Sequence, residues 1–184
     1  MILDDESTRQ AVADTRRWVE KAVIGLNLCP FAKAVQTKGQ VRYAVSDAVD
    51  EEGVLADLED ELMLISEADP EAIDTTLLIL PEALHDFYEF NDFSELSDRL
   101  LKRMRLVGEL QVATFHPAFQ FADTGPDDVG NYTNRSPYPT LHILREASID
   151  RAVEAFPEAE TIYEKNIETL EKLGLDGWRK LMDE

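Results

Sequence analysis

The chain has 184 residues, 44% of them hydrophobic and 30% charged, with a formal net charge of -20 at neutral pH. That length fits one domain spanning residues 1–184 with a sizeable core, and no apolar run reaches the roughly 20 residues that cross a bilayer. Charge of this sign and size repels phosphate backbones and anionic lipids, which sets aside nucleic acid and membrane surfaces as partners.

Cys29 is the one cysteine, so neither an internal disulfide nor a cysteine-rich zinc site is expected. The segment Met1-Ile2-Leu3-Asp4-Asp5-Glu6 is acidic and lacks the basic, then apolar, pattern of a signal peptide, so a cytoplasmic protein is expected. Residues 47 to 74 hold twelve Asp or Glu and no Lys or Arg. Such a stretch reads as a solvated acidic face, or as a docking surface for a basic protein.

In chain order, residues 6 to 28 have Val12, Val19, Val23 and Leu26 at helical spacing behind the possible cap Ser7. Pro30 disfavours helical geometry at Cys29, and a short helix is expected to restart at Pro30. Residues 40 to 46 alternate as a half-buried strand. Residues 53 to 67 carry a helical stripe of Val54, Leu55, Leu58, Leu62 and Ile65. Thr75 to Leu80 is an apolar run ended by Pro81, as in a strand covered on both faces. A helix is expected over 92 to 105 and a third strand over 110 to 115, stopped by His116-Pro117. Beyond a long polar loop, helices are expected from about Pro139 to Phe156 and from Glu158 to Leu173, with Gly174 as a stop.

Strands alternating with helices predict an α/β sandwich. Its small sheet of three or four strands is at least partly parallel, with helices packed on it and a helical C-terminus. If the three strands run parallel, their C-terminal ends gather Ser46, Pro81 and His116 at one edge, where ligands of open α/β sheets bind.

The polar loop from His116 to Tyr138 lacks helical or strand periodicity, and a tract this long inside a compact domain is usually functional or disordered. Recurring aromatics favour order. His116, at a strand end, suits a general acid, base or metal ligand, or a hydrogen-bonded strand terminator. Asn131, Asn134, Arg135 and Ser136 cluster polar side chains around one guanidinium, a natural grip for a carboxylate or phosphate; a self-satisfying loop network is the alternative. Tyr138 closes the loop. His142 and Arg145, on a helix with Glu146, would share a face able to hold an anion. Asp127 and Asp128 read as turn residues rather than cation ligands. Cys29, as the N-cap of a helix beside Lys33, would be an activated thiol; the alternative is a buried small residue. No metal set is assigned, and no zinc spacing, phosphate loop or dinucleotide fingerprint names a cofactor.

Asn27-Leu28-Cys29-Pro30-Phe31-Ala32, Phe115-His116-Pro117, Phe119-Gln120-Phe121-Ala122-Asp123-Thr124 and Asn131-Tyr132-Thr133-Asn134-Arg135-Ser136-Pro137-Tyr138-Pro139-Thr140-Leu141-His142 together resemble the bacterial Domain of Unknown Function 1415 family. The resemblance covers nearly the whole chain and implies a single-domain bacterial protein of this size, with no activity or residue roles to carry over. The first functional expectation is an enzyme acting on a small anionic metabolite at the strand ends. Cys29 and His116 would carry its catalysis, with or without a metal, and Asn131, Asn134, Arg135, Ser136, Tyr138, His142 and Arg145 would bind substrate. A non-catalytic ligand-binding module and an acidic protein-interaction domain are the alternatives.

Overall fold

A computed structural model describes residues 4–183; the N-terminal reading of Met1-Ile2-Leu3 lies outside them. Helix α1 (Asp5–Trp18) starts where the Asp4 carboxylate accepts the Ser7 N–H, and it runs on as a π-helix over Val19–Ile24. A short α2 (Ala32–Thr37) follows a turn. Strand β1 (Val41–Val45) then leads through α3 (Glu51–Glu67) to β2 (Thr75–Ile79). Helix α4 (Phe87–Met104), capped by Asp86, leads to β3 (Leu110–Phe115).

The loop after β3 contains a 3-10 turn, Val129–Asn134. A fourth strand, β4 (Thr140–Arg145), precedes α5 (Glu146–Ala155) and α6 (Ile162–Asp183). The expected helix from Pro139 to Phe156 is therefore half strand. Thr140-Leu141-His142-Ile143-Leu144-Arg145 is a six-residue segment with apolar residues on both of its faces, too short for periodicity to separate strand from helix. Gly174 breaks α6 with φ 67° and ψ 172°, but the chain resumes helical geometry and returns Trp178 to the core. One helix thus ends at Gly174 as expected, and a second follows it directly.

The sheet order is β1-β2-β4-β3. β1 and β2 are parallel, and β4 is antiparallel to both β2 and β3. The three strands expected from the sequence therefore do point the same way, with β4 inserted against them. Both crossovers step in the same direction across the sheet, and the right-handed rule puts their helices on one face. Val54, Leu58, Leu62 and Ile65 of α3 and Phe90, Phe93 and Leu100 of α4 accordingly meet Leu78, Leu110, Leu141 and Ile143 in one core. The other face packs Leu77 against Trp18, Val19, Ala22, Leu170 and Trp178.

Arg145 ties the two layers. It is the last residue of β4 and turns to the α3 side, where Nη2 donates to Ile65 O (2.8 Å), Ala68 O (3.1 Å) and Ile73 O (2.9 Å), and Nε to Ile73 O. The C-terminal carbonyls of α3 lack helical partners, and a cation there also meets the negative end of the helix dipole. His142 and Arg145, expected on one helical face, lie on opposite faces of the sheet, because an odd spacing along a strand reverses the side chain.

Arg145→Ala should lower unfolding stability by about 3 kcal/mol, since it strands several buried carbonyls at once. Urea denaturation checks this; a loss below about 1 kcal/mol would mean that water replaces the guanidinium at no cost.

Candidate functional site

The loop from His116 to Tyr138 is ordered by its own hydrogen bonds and by rings. Asn131 is fully buried, and its Oδ1 accepts from Phe121 N and Thr124 Oγ1 while Nδ2 donates to Gly125 O (2.8 Å). Asn134 Nδ2 donates to Thr114 O, and Ser136 Oγ to Tyr138 O. Arg135 donates to Phe119 O (3.1 Å) and Pro126 O (2.7 Å) and lies 4.5 Å from the Tyr132 ring centroid. Phe119 packs tilted against Phe87 and edge-to-face against Phe121, and Phe121 with Tyr163 and Tyr132 with Trp178 also meet edge-to-face. Asp128 accepts from Gly130 N, as a turn residue does. In this geometry these polar groups hold the loop together.

Tyr138 OH donates to Asp14 Oδ2 (2.9 Å), and burial with that carboxylate pushes its pKa up to about 12. Tyr138 lines a shallow cleft by Pro81, at the strand-end edge, which also carries Glu6 and Glu82 and so presents negative charge.

His116 is 1% exposed between Phe87 and Phe90, with ring centroids at 5.4 and 4.9 Å. Its Nδ1 accepts from Ala118 N and its Nε2 lies 3.0 Å from Leu84 O, so Nε2 carries the proton. Burial holds its pKa below the ordinary histidine value. Both nitrogens are thereby engaged by the backbone, on the α4 face of the sheet.

The opposite face holds a half-open cavity of about 340 Å³. Its floor is Thr75 and Leu77 of β2, His142 and Leu144 of β4, and Ala113 and Phe115 of β3. Trp18 at the end of α1 and Val19 and Val23 of the π-helical segment form one wall, with Cys29, Phe31 and Val35; Ser148, Ile149 and Ala152 of α5 form another. Of the expected site residues, the structure brings Cys29 and His142 to this cavity and places His116 across the sheet from them.

The π-helix shapes that wall. Its i→i+5 bonds include Gly25 N to Glu20 O (3.0 Å) and Leu28 N to Val23 O (2.9 Å). A Cβ on Gly25 would stand 2.1 Å from Lys21 O, so only glycine fits there. Helix α2 starts at Ala32 with Phe31 as its N-cap, so Cys29, the expected cap, lies two residues before the actual one. Burial pushes the Cys29 thiol up, against the smaller opposing pull of the Phe31 and Ala32 N–H groups. The low-pKa thiol expected from the sequence is not formed, because enclosure outweighs the helix end.

His142 Nε2 lies 2.7 Å from Thr75 Oγ1, which lies 2.7 Å from Ile143 O. Burial drives the His142 pKa down to about 4. Sequence reasoning missed Thr75, Trp18 and Val23. A threonine opening a buried apolar strand was the one available signal; nothing in the sequence marks the π-helix. Among the described residues, no group of three or more His, Cys, Asp and Glu side chains could hold a metal.

A histidine whose folded pKa is depressed stabilises the fold above its ordinary value of about 6.5, and that contribution is lost as pH falls toward 4. The unfolding free energy of the native protein, relative to His142→Leu, should therefore fall by up to about 3 kcal/mol between pH 7 and pH 4. A pH-independent difference in urea unfolding would contradict this. For Cys29, iodoacetamide should react slowly at pH 7 in the folded protein and fully after denaturation; fast native alkylation would show a thiolate.

No helix among the described residues is long and apolar enough to cross a membrane. No curated protein and no solved structure matches the chain. A family model does match, over residues 10–180, and so spans both layers, the loop and the cavity. The chain belongs to the family described as protein of unknown function, DUF1415.

Proposed function

We propose that the protein is a ligand-binding module that takes a small, uncharged, largely apolar molecule into the sheet-face cavity. The observation that carries this reading is the cavity itself: about 340 Å³, walled mostly by aliphatic and aromatic side chains, with no Lys or Arg among its lining residues and its one carboxylate, Asp74, bonded to Ser148. Ligand pockets fall in this size range and are mostly apolar with a few polar groups; an apolar cavity of about 150 Å³ already accepts benzene. Two local costs sit beside it. π-helical turns concentrate at functional sites, and Trp18 Nε1 is buried with no partner among the described residues. The expected anionic ligand would find no cation here, and Arg135 and Arg145 already serve backbone carbonyls.

A catalytic reading rests on Cys29 and His142 lining the same space. The raised thiol and neutral imidazole support binding over nucleophilic chemistry. The same proposal sets this bacterial protein in a reducing cytoplasm, on its single cysteine and acidic composition.

The test is a titration with the apolar fluorophore N-phenyl-1-naphthylamine, whose emission rises on leaving water. Saturable binding is expected, and Ala113→Phe, which fills the cavity from its floor, should abolish it while the far-UV circular dichroism stays unchanged. Binding indifferent to that substitution would place the dye elsewhere and overturn the proposal.

A further inference from the structure

The cavity lining carries two polar contacts, Ser148 Oγ donating to Asp74 Oδ1 and Thr75 with His142, and the second fixes which ligands it prefers. Thr75 Oγ1 has a single proton and two neighbours, His142 Nε2 and Ile143 O, each at 2.7 Å. Two oxygens that close, carbonyl and hydroxyl, repel unless a proton lies between them, so the threonine proton goes to Ile143 O. The hydroxyl then accepts from the ring, and His142 carries its proton on Nε2. Its Nδ1 is left as a bare acceptor.

That acceptor has no partner among the described residues, since the ring's one hydrogen bond is the bond to Thr75. Nor is it sealed away. Among the described residues, the fully buried side-chain nitrogens and oxygens without partners are Thr15 Oγ1, Trp18 Nε1, Thr76 Oγ1 and Thr133 Oγ1, and His142 Nδ1 is not one of them. The space its ring borders is the cavity. Enclosure keeps the imidazole neutral at physiological pH, so Nδ1 stays an acceptor.

We propose that the cavity selects apolar molecules that carry one hydrogen-bond donor, a phenol or an apolar alcohol, and that His142 Nδ1 accepts that donor. This rests on the reading of the cavity as a ligand site and adds the ligand's chemical class. A ligand bearing only an acceptor would face a lone pair, and a carboxylate would bring an unpaired charge into an apolar space, which costs far more.

The experiment compares 4-propylphenol, 4-propylanisole and 4-propylbenzoate by calorimetric titration at pH 7. The three share one apolar body and differ in offering a donor, only an acceptor, or a charge. The phenol should bind about tenfold more tightly than the anisole, the worth of one hydrogen bond, and the benzoate should not bind. In His142→Leu, phenol and anisole should bind alike. If that variant fails to fold, the native protein still decides: the His142 Nδ1 signal in a nitrogen-15 spectrum should shift with the phenol and stay put with the anisole. Equal binding of phenol and anisole would overturn the donor preference while leaving the cavity reading intact. Binding of neither would sink both, and tightest binding of the benzoate would replace both with an anion site.

Discussion

The structure depends on β4 standing between β2 and β3. Those two strands, joined by α4, share no hydrogen bonds of their own; each pairs only with β4 on that side. Without the six residues from Thr140 to Arg145 the sheet would be a two-strand ribbon beside a detached strand, and ribbons of that size are marginal in water. The insertion also sets the chemistry on either face. It presents His142 to the cavity and Arg145 to the end of α3, one residue parity deciding between a cavity-lining side chain and a structural tie.

The same placement carries a kinetic cost. Until residue 145 has been made, β2 and β3 both carry open edges, and unpaired edges invite wrong pairing. The long return through the polar loop is therefore held by many specific bonds. Asn131, Arg135 and the Phe119, Phe121 and Tyr132 rings fix the path that brings β4 back into its slot. Those residues attract attention in the sequence because of their polarity, and they repay it by building the chain's return.

Much of the architecture was legible in the sequence, for physical reasons. The Leu58-Leu62-Ile65 stripe shows its period because α3 packs one face, and the run from Thr75 to Ile79 reads as a strand covered on both faces because it is short, unbroken and closed by Leu80-Pro81. β4 was misread because Ile143 and Leu144 put apolar side chains on both of its faces, which erases the apolar-polar alternation that marks a half-exposed strand. Five residues at the start of α4 were missed because its cap, Asp86, stands ahead of aromatics that scatter the helical stripe. The site was harder still. His116 at a strand end looks chemical, yet its two nitrogens meet backbone groups at Leu84 and Ala118, partners that every residue carries and that no side-chain pattern reveals. Cys29 and His142 are 113 positions apart, and only the sheet topology makes them neighbours of one space.

The π-helix has a further consequence. Each i→i+5 turn houses one more residue than an α-turn, so the segment Val19–Ile24 amounts to an inserted residue absorbed without a loop. It resets the phase of everything before it by about 100° of rotation. With that extra residue, Ala11, Thr15 and Trp18 of α1 face the core while Leu28 still reaches it. Shortening the segment by one residue would force a choice between those two anchors. The helix would either swing its polar side onto the sheet or pull the Cys29 turn out of the cavity wall. Chain length at this point is thus as strictly specified as any side chain, and a lineage carrying this cavity has little freedom to change it.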